Sequence, residues 1–221
     1  MARMIIGNWD EVKTKLETRI KEIFKDKDIS KMSKYEIRRT IFDYLCDTLT
    51  YDLEYLRNIR NPEWYRKGGS RDSYLEFETV LINNIGVCNG ISQLYILLLE
   101  MVGIDSKYII CDTEVAGRHA LTLVYDEEHD LYSLDDITSV IVGLGDKEKY
   151  FDYTFDTASL YGQGNKSLSP DSDNKWVIIG NGYIDYLVGR KTDRLDDFEE
   201  IPSNIGTVRE LIKKSGLKTD M

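Results

Sequence analysis

Gly86-Val87-Cys88-Asn89-Gly90-Ile91-Ser92-Gln93 runs straight into Leu94-Tyr95-Ile96-Leu97-Leu98-Leu99-Glu100-Met101-Val102, and the reading of this stretch decides the fold. After Cys88 the apolar residues Ile91, Leu94, Tyr95, Leu98, Met101 and Val102 keep the i, i+3, i+4, i+7 spacing of an amphipathic helix. Leu97 and Leu99 add apolar surface on the other side, which predicts a helix buried nearly all round. Gly86 is expected to allow a tight turn into the helix, and Gly90 to let another group approach closely. A thiol in the first helical turn lies where unpaired N–H groups and the helix dipole favour an anion. The dipole is worth only about 0.3–1 kcal/mol, less than one pKa unit. A thiolate therefore needs an imidazolium beside it.

At 221 residues, 42% apolar and 31% charged, the chain has the make-up of one globular domain spanning 1–221. Its net charge of −10, with no run of Lys or Arg, argues against nucleic acid, whose binding depends on neutralising phosphates. No apolar stretch approaches the ~18 residues of a membrane span, so no membrane partner is expected. The opening Met1-Ala2-Arg3-Met4-Ile5-Ile6-Gly7 lacks the apolar core and cleavage site of a signal peptide. Cys46, Cys88 and Cys111 are widely spaced and form no CxxC, which speaks against a disulfide framework or a zinc site. A cytoplasmic, reducing setting is the expectation. The sequence assigns no oligomeric state.

Outward from the central helix, the periodicity predicts helices first and strands afterwards. Trp9, Val12, Leu16, Ile20 and Phe24 mark a first helix, closed by the charged turn Lys25–Asp28. Ser33 with Glu36 is a capping box opening a second helix through Ile37, Ile41, Tyr44, Leu45 and Leu49. Tyr51–Asp72, with Asn61-Pro62 and Gly68-Gly69-Ser70, reads as one long loop. Ser73 with Glu76 caps a short helix leading to the cysteine stretch. Beyond it the period falls to 2. Lys107–Asp112, His119–Tyr125 and Leu131–Asp135 read as strands, with further strands at Val140–Leu144 and Trp176–Ile179. Thr207 and Glu210 cap a closing helix over Gly206–Lys214. This order makes an α+β domain.

The chain holds two histidines. His129 sits in the charged turn Asp126-Glu127-Glu128-His129-Asp130 and reads as a solvated surface residue. His119 begins an otherwise apolar strand, either as a satisfied interior residue or as a catalytic one. The hairpin that follows brings a carboxylate to its side. A five-residue turn pairs Tyr125 with Leu131 and sets Asp135 on the face of His119; a four-residue turn sets Asp136 there instead. Such a carboxylate fixes the tautomer of the ring and stabilises its charged form.

Taken together, these stretches resemble the transglutaminase-like superfamily. Gly86-Val87-Cys88-Asn89-Gly90-Ile91-Ser92 is similar to its nucleophile motif and His119-Ala120-Leu121-Thr122-Leu123-Val124 to its His-Ala strand. Leu131-Tyr132-Ser133-Leu134-Asp135 resembles its aspartate motif, and Ile41 to Asp52 the helix and Tyr-Asp that precede the core. The likeness covers roughly Glu36–Val142, and residues from about 150 to 221 carry no motif of the family. Two departures stand out. Leu121 replaces a frequent Trp, and the family's Asp-x-Thr spacing to Thr138 points to Asp136, whereas its Tyr-x-x-Asp spacing points to Asp135. The five-residue turn and the second spacing select Asp135.

The resemblance implies a papain-like core in which the cysteine helix packs on an antiparallel sheet carrying His119 and Asp135. It also implies acyl transfer on peptide or protein amides through a thioester on Cys88. Water as acceptor makes a cysteine protease or amidohydrolase, the reading preferred here. An amine as acceptor makes a protein-glutamine γ-glutamyltransferase, and a silent binding module of the same fold is the remaining alternative. No metal or cofactor is expected. One oxyanion donor is the Cys88 N–H; a second is expected from the loop or helix before Cys88.

Overall fold

The computed structural model describes residues 9–58, 61, 63, 77–113, 117–126, 131–152, 176–178 and 211–213. Helix α1 (Trp9–Ile23) and α2 (Lys34–Thr48) lie where the periodicity places them. The Ser33 hydroxyl accepts the Glu36 N–H, and the Glu36 carboxylate accepts the Ser33 N–H, so the capping box is formed in both directions. Next come β1 (Thr50–Tyr51), α3 (Leu53–Asn58), α4 (Phe77–Asn83), β2 (Ile85–Gly86) and the cysteine helix α5 (Cys88–Met101). The second half runs β3 (Ser106–Thr113), β4 (Gly117–Asp126), β5 (Leu131–Asp135), α6 (Ile137–Ile141), α7 (Lys147–Tyr150) and β6 (Trp176–Ile178).

The chain folds as an α+β papain-like core. Strands β3 to β6 form one antiparallel sheet in the order β5-β4-β3-β6, and α5 packs on β3 and β4. Every residue of α5 from Gly90 to Leu99 is buried, as is Met101. Such an apolar cylinder is stable only with layers on several sides. Leu16, Ile20, Ile41, Phe42, Leu45 and Val80 supply the opposing surface from α1, α2 and α4.

Three expectations are corrected. Tyr51–Asp72 is not one loop: Tyr51 lies in β1, and α3 follows, its first turn capped by the Asp52 carboxylate, which accepts the Tyr55 N–H at 2.8 Å. Val140–Leu144 is not a strand. Asp136 accepts the Ser139 N–H at 3.0 Å and starts α6, and a short apolar run does not itself distinguish helix from strand. Gly86 makes no positive-φ turn; it is a strand residue, and a Cβ there would meet Val80 Cγ2 at 2.5 Å. Its smallness admits α4 rather than bending the chain. The caps at Ser73, Thr207 and Glu210 lie outside the described residues, while 211–213 are helical and 176–178 are strand as expected.

A buried ion pair joins the two halves. Arg38 of α2 donates from Nε and from its terminal nitrogen to the two oxygens of Asp135, at 2.7 and 2.5 Å. The Tyr95 hydroxyl of α5 donates to the same carboxylate at 2.7 Å, and the Asp152 N–H at 2.9 Å. The guanidinium also lies over the Phe151 ring and pairs with the Asp152 carboxylate at 3.0 Å. The side chain of Asp135 is fully enclosed and that of Arg38 nearly so. Removing one partner leaves the other charged in the core, which typically costs 3–5 kcal/mol. Asp135→Ala is therefore expected to lower unfolding free energy by about 3–5 kcal/mol in urea titration, whereas Asp28→Ala, which removes the exposed Lys31–Asp28 pair, should change it far less.

Candidate active site

Two parallel residue pairs, Thr50↔Ile85 and Tyr51↔Gly86, place Tyr51 two residues ahead of the cysteine helix. Hydrogen bonds from Thr50 N–H to Asn84 O at 2.8 Å and from Asp52 N–H to Gly86 O at 2.9 Å hold this crossing. Asn84, at φ 55°, makes the left-handed turn out of α4 that lets β2 run beside β1. Cys88 then opens α5 after an extended Val87. Its backbone N–H is one of the unpaired donors of a helix start. Here the Tyr51 oxygen takes it, and the Tyr51 hydroxyl is also hydrogen-bonded to the Cys88 side chain.

The imidazole comes from β4. His119 is buried and hydrogen-bonded to the Cys88 thiol, to which the Ala120 N–H also donates. Its Nε2 lies 3.0 Å from Asp136 Oδ2, which leaves Nδ1 as the ring nitrogen on the cysteine side. The carboxylate partner is thus Asp136 and not Asp135. The reason is the turn: Asp126 pairs with Leu131 and Thr122 with Asp135, so four residues rather than five connect β4 to β5. One step further along the register puts Asp136 across from Leu121, on the face of His119. Asp135, on the other face, is consumed by Arg38 and Tyr95. His129 lies outside the described residues.

The charges in this site hold one another. Burial works against a charged ring at His119, yet the Asp136 carboxylate and the bond to Cys88 outweigh it and push its pKa up to about 10. For Cys88, burial favours the thiol, but the bond to His119, its charge and the Ala120 N–H bring the pKa below the ordinary value. Asp136 is likewise held ionised against burial by His119 and by Ser139. Burial, with the nearby charge of Cys88, raises the pKa of Tyr51, which keeps its phenol protonated and able to donate. Chemically this is a thiol and an imidazole placed so that each favours the charged form of the other, backed by a carboxylate, with an N–H and a phenol at the sulfur.

Sequence reasoning missed the place of Tyr51. Its position beside Cys88 is a consequence of a parallel pairing between segments far apart in the chain, and only the Tyr-Asp resemblance hinted at it. It also missed Asn89, whose side-chain oxygen accepts from the Tyr108 hydroxyl and from Gln93 Nε2, the latter at 2.9 Å, anchoring the first turn of α5 to β3.

An α+β fold with a cysteine at the head of a buried helix and a histidine and aspartate on the adjoining sheet defines a papain-like class of architecture. Within it, the pattern of the transglutaminase-like superfamily matches residues 23–135, just over half the chain, and the protein belongs to that superfamily. A solved structure described as "Crystal structure of a TGase" has the same fold, with a TM-score of 0.50 and 15% identity. The alignment covers 64% of this chain and 35% of that one, so the protein spans about a third of the relative's length. No curated protein matches the chain. Among the described residues no helix is long and apolar enough to cross a membrane.

Cys46 provides the internal control for the site's electrostatics. Burial drives its thiol pKa well above the ordinary value, with neighbouring carboxylates adding to the effect. Iodoacetamide at neutral pH is expected to alkylate Cys88 well before Cys46, read by peptide mass spectrometry. Replacing the ring partner by Asp136→Asn should slow labelling of Cys88 by about tenfold or more, the effect of one pKa unit. Asp28→Ala should leave it unchanged.

Proposed function

We propose that the protein is a thiol-dependent acyl-transfer enzyme acting on peptide or side-chain amides, with Cys88 as nucleophile. The observation that carries this reading is His119, bound on one side to the Cys88 thiol and on the other to Asp136 at 3.0 Å. Membership of the superfamily supports it.

The Cys88 thiolate attacks the amide carbon, forming a C–S bond and moving the π electrons to oxygen. The Tyr51 hydroxyl and the Cys88 N–H, once the substrate oxygen displaces the Tyr51 oxygen from that N–H, are the two groups that would donate to the oxyanion. Collapse of the adduct breaks the C–N bond as the His119 imidazolium gives its proton to the departing amine. Neutral His119 then takes a proton from the acceptor, which attacks the thioester. The tetrahedral adduct expels the Cys88 thiolate, and the acyl group leaves. Asp136 holds the ring through both proton transfers. Water as acceptor gives hydrolysis, and an amine gives transamidation. The same side chains serve both, and access to the thioester selects between them.

The pH dependence follows from the two shifts. The depressed Cys88 pKa means that the thiolate is lost only as pH falls through that lowered value. The raised His119 pKa means that the imidazolium persists above its ordinary 6.5 and is lost as pH rises through about 10. Activity is expected to fall on the acid side as pH drops through the lowered Cys88 value and on the alkaline side near pH 10.

The deciding experiment follows ammonia release and incorporation of a primary amine on a glutamine-containing protein, beside peptide cleavage, in wild type and Cys88→Ala. Cleavage or ammonia release without incorporation assigns hydrolysis, and incorporation assigns transamidation. Absence of all three, with Cys88 alkylated no faster than Cys46, overturns the enzyme reading. Tyr51→Phe is expected to lower kcat by about 10²–10³-fold with a smaller change in KM, the signature of a lost oxyanion donor.

A further inference from the structure

The hydroxyl of Ser139, in α6, is not needed to start that helix. The Asp136 cap is already made by the Ser139 backbone N–H, which donates to Asp136 Oδ1 at 3.0 Å. The side chain makes a second, separate bond. Its Oγ donates to Asp136 Oδ2 at 2.6 Å, the same oxygen that faces His119 Nε2 at 3.0 Å. Asp136 and Ser139 are 4% and 2% exposed, so bulk water has little access to replace this donor.

We propose that Ser139 is a positioning residue for the Cys88–His119–Asp136 site: its hydroxyl fixes the oxygen that holds the His119 ring and thereby sets how far into acid Cys88 stays a thiolate. This rests on the activated-thiol reading above and extends it to a residue outside the triad.

The physical chain has three links. A hydroxyl bonded to a buried carboxylate is a charge-assisted bond, about twice as strong as a neutral one. It favours the ionised form of the group that accepts it. With Oδ1 held by the N–H and Oδ2 by the hydroxyl, the carboxylate plane is fixed toward the imidazole. Without the hydroxyl, Asp136 keeps one anchor, and its charge is held less firmly. The imidazolium then loses part of its counter-charge, and the thiolate loses part of its own in turn.

The groups facing Asp136 from neighbouring elements do not substitute for this bond. His119 of β4 and Cys88 of α5 are the dependants of Asp136, and Tyr51 of β1 is committed to Cys88. Arg38 of α2 and Tyr95 of α5 are spent on Asp135, with Asp152 on the far side of Arg38. From α7, the Tyr150 carbonyl accepts the Asp136 N–H at 2.9 Å, while Lys147 reaches Asp47, Glu148 reaches Arg39 and Lys149 lies over the Tyr150 ring.

The test measures the rate of Cys88 alkylation by iodoacetamide across pH on the full chain, in wild type, Ser139→Ala and Ser139→Thr, with thermal unfolding alongside. The acid limb of the labelling profile in Ser139→Ala is expected to move up by about one pH unit. Ser139→Thr, which keeps a hydroxyl, should restore the wild-type limb. A Ser139→Ala profile that overlays wild type overturns the inference while leaving the activated thiol intact. So does a lowered melting temperature with an unmoved limb, which would mark the hydroxyl as structural only. A Ser139→Thr variant as stable as Ser139→Ala that fails to restore the limb also overturns it. If wild-type Cys88 itself titrates near the ~8.5 of a free thiol, the proposed function falls and takes this inference with it.

Discussion

The bidentate pair between Arg38 and Asp135 is the constraint on which the site depends. It is costly to form, because both charges leave water, and it tolerates no loss of a partner. Tyr95, the Asp152 N–H and the Phe151 ring complete its surroundings. Its effect is geometric. Asp135 ends β5, so fixing it to α2 and α5 fixes where the next residue emerges. That residue is Asp136, and alternation along the chain turns it to the opposite face, toward His119. Two adjacent carboxylates thus have opposite roles, one neutralised in the core and one left to orient the imidazole.

A second constraint acts from the other side of the nucleophile. The buried body of α5 holds Cys88 at a helix start whose N–H groups have no partners within the helix. The two-residue pairing of β1 with β2 then carries the Tyr51 phenol to that end. Gly86 makes the pairing compatible with α4, since a side chain there would strike Val80. The helix dipole is too weak alone to ionise the thiol. The bond to His119, its charge and the Ala120 N–H together overcome a desolvation that works in the opposite direction.

Most of the helical layer was legible from sequence. The faces of α1 and α5 are long and strongly periodic, and Ser33 with Glu36 announces α2 without tertiary help. The His119 strand was legible by its alternation. Errors fell where local signals are short. Val140 and Ile141 form a short apolar run that fits either period, and the Asp136 cap decided for a helix. The choice of Asp135 rested on a turn one residue too long, and that single residue reverses which carboxylate meets the imidazole. Phe42, fully buried on α2, lay off the face that the apolar spacing suggested.

The sequence by itself determined the long helices, the hairpin strands and the placement of Cys88 at a helix start and His119 on a strand, because helix periodicity, capping and strand alternation are local properties of contiguous residues. Only the tertiary structure decided between Asp135 and Asp136, placed Tyr51 at the nucleophile and buried Arg38. Each of these depends on strand register or on contacts between distant segments, where the free energy of satisfying a buried charge outweighs any preference written in the neighbouring residues.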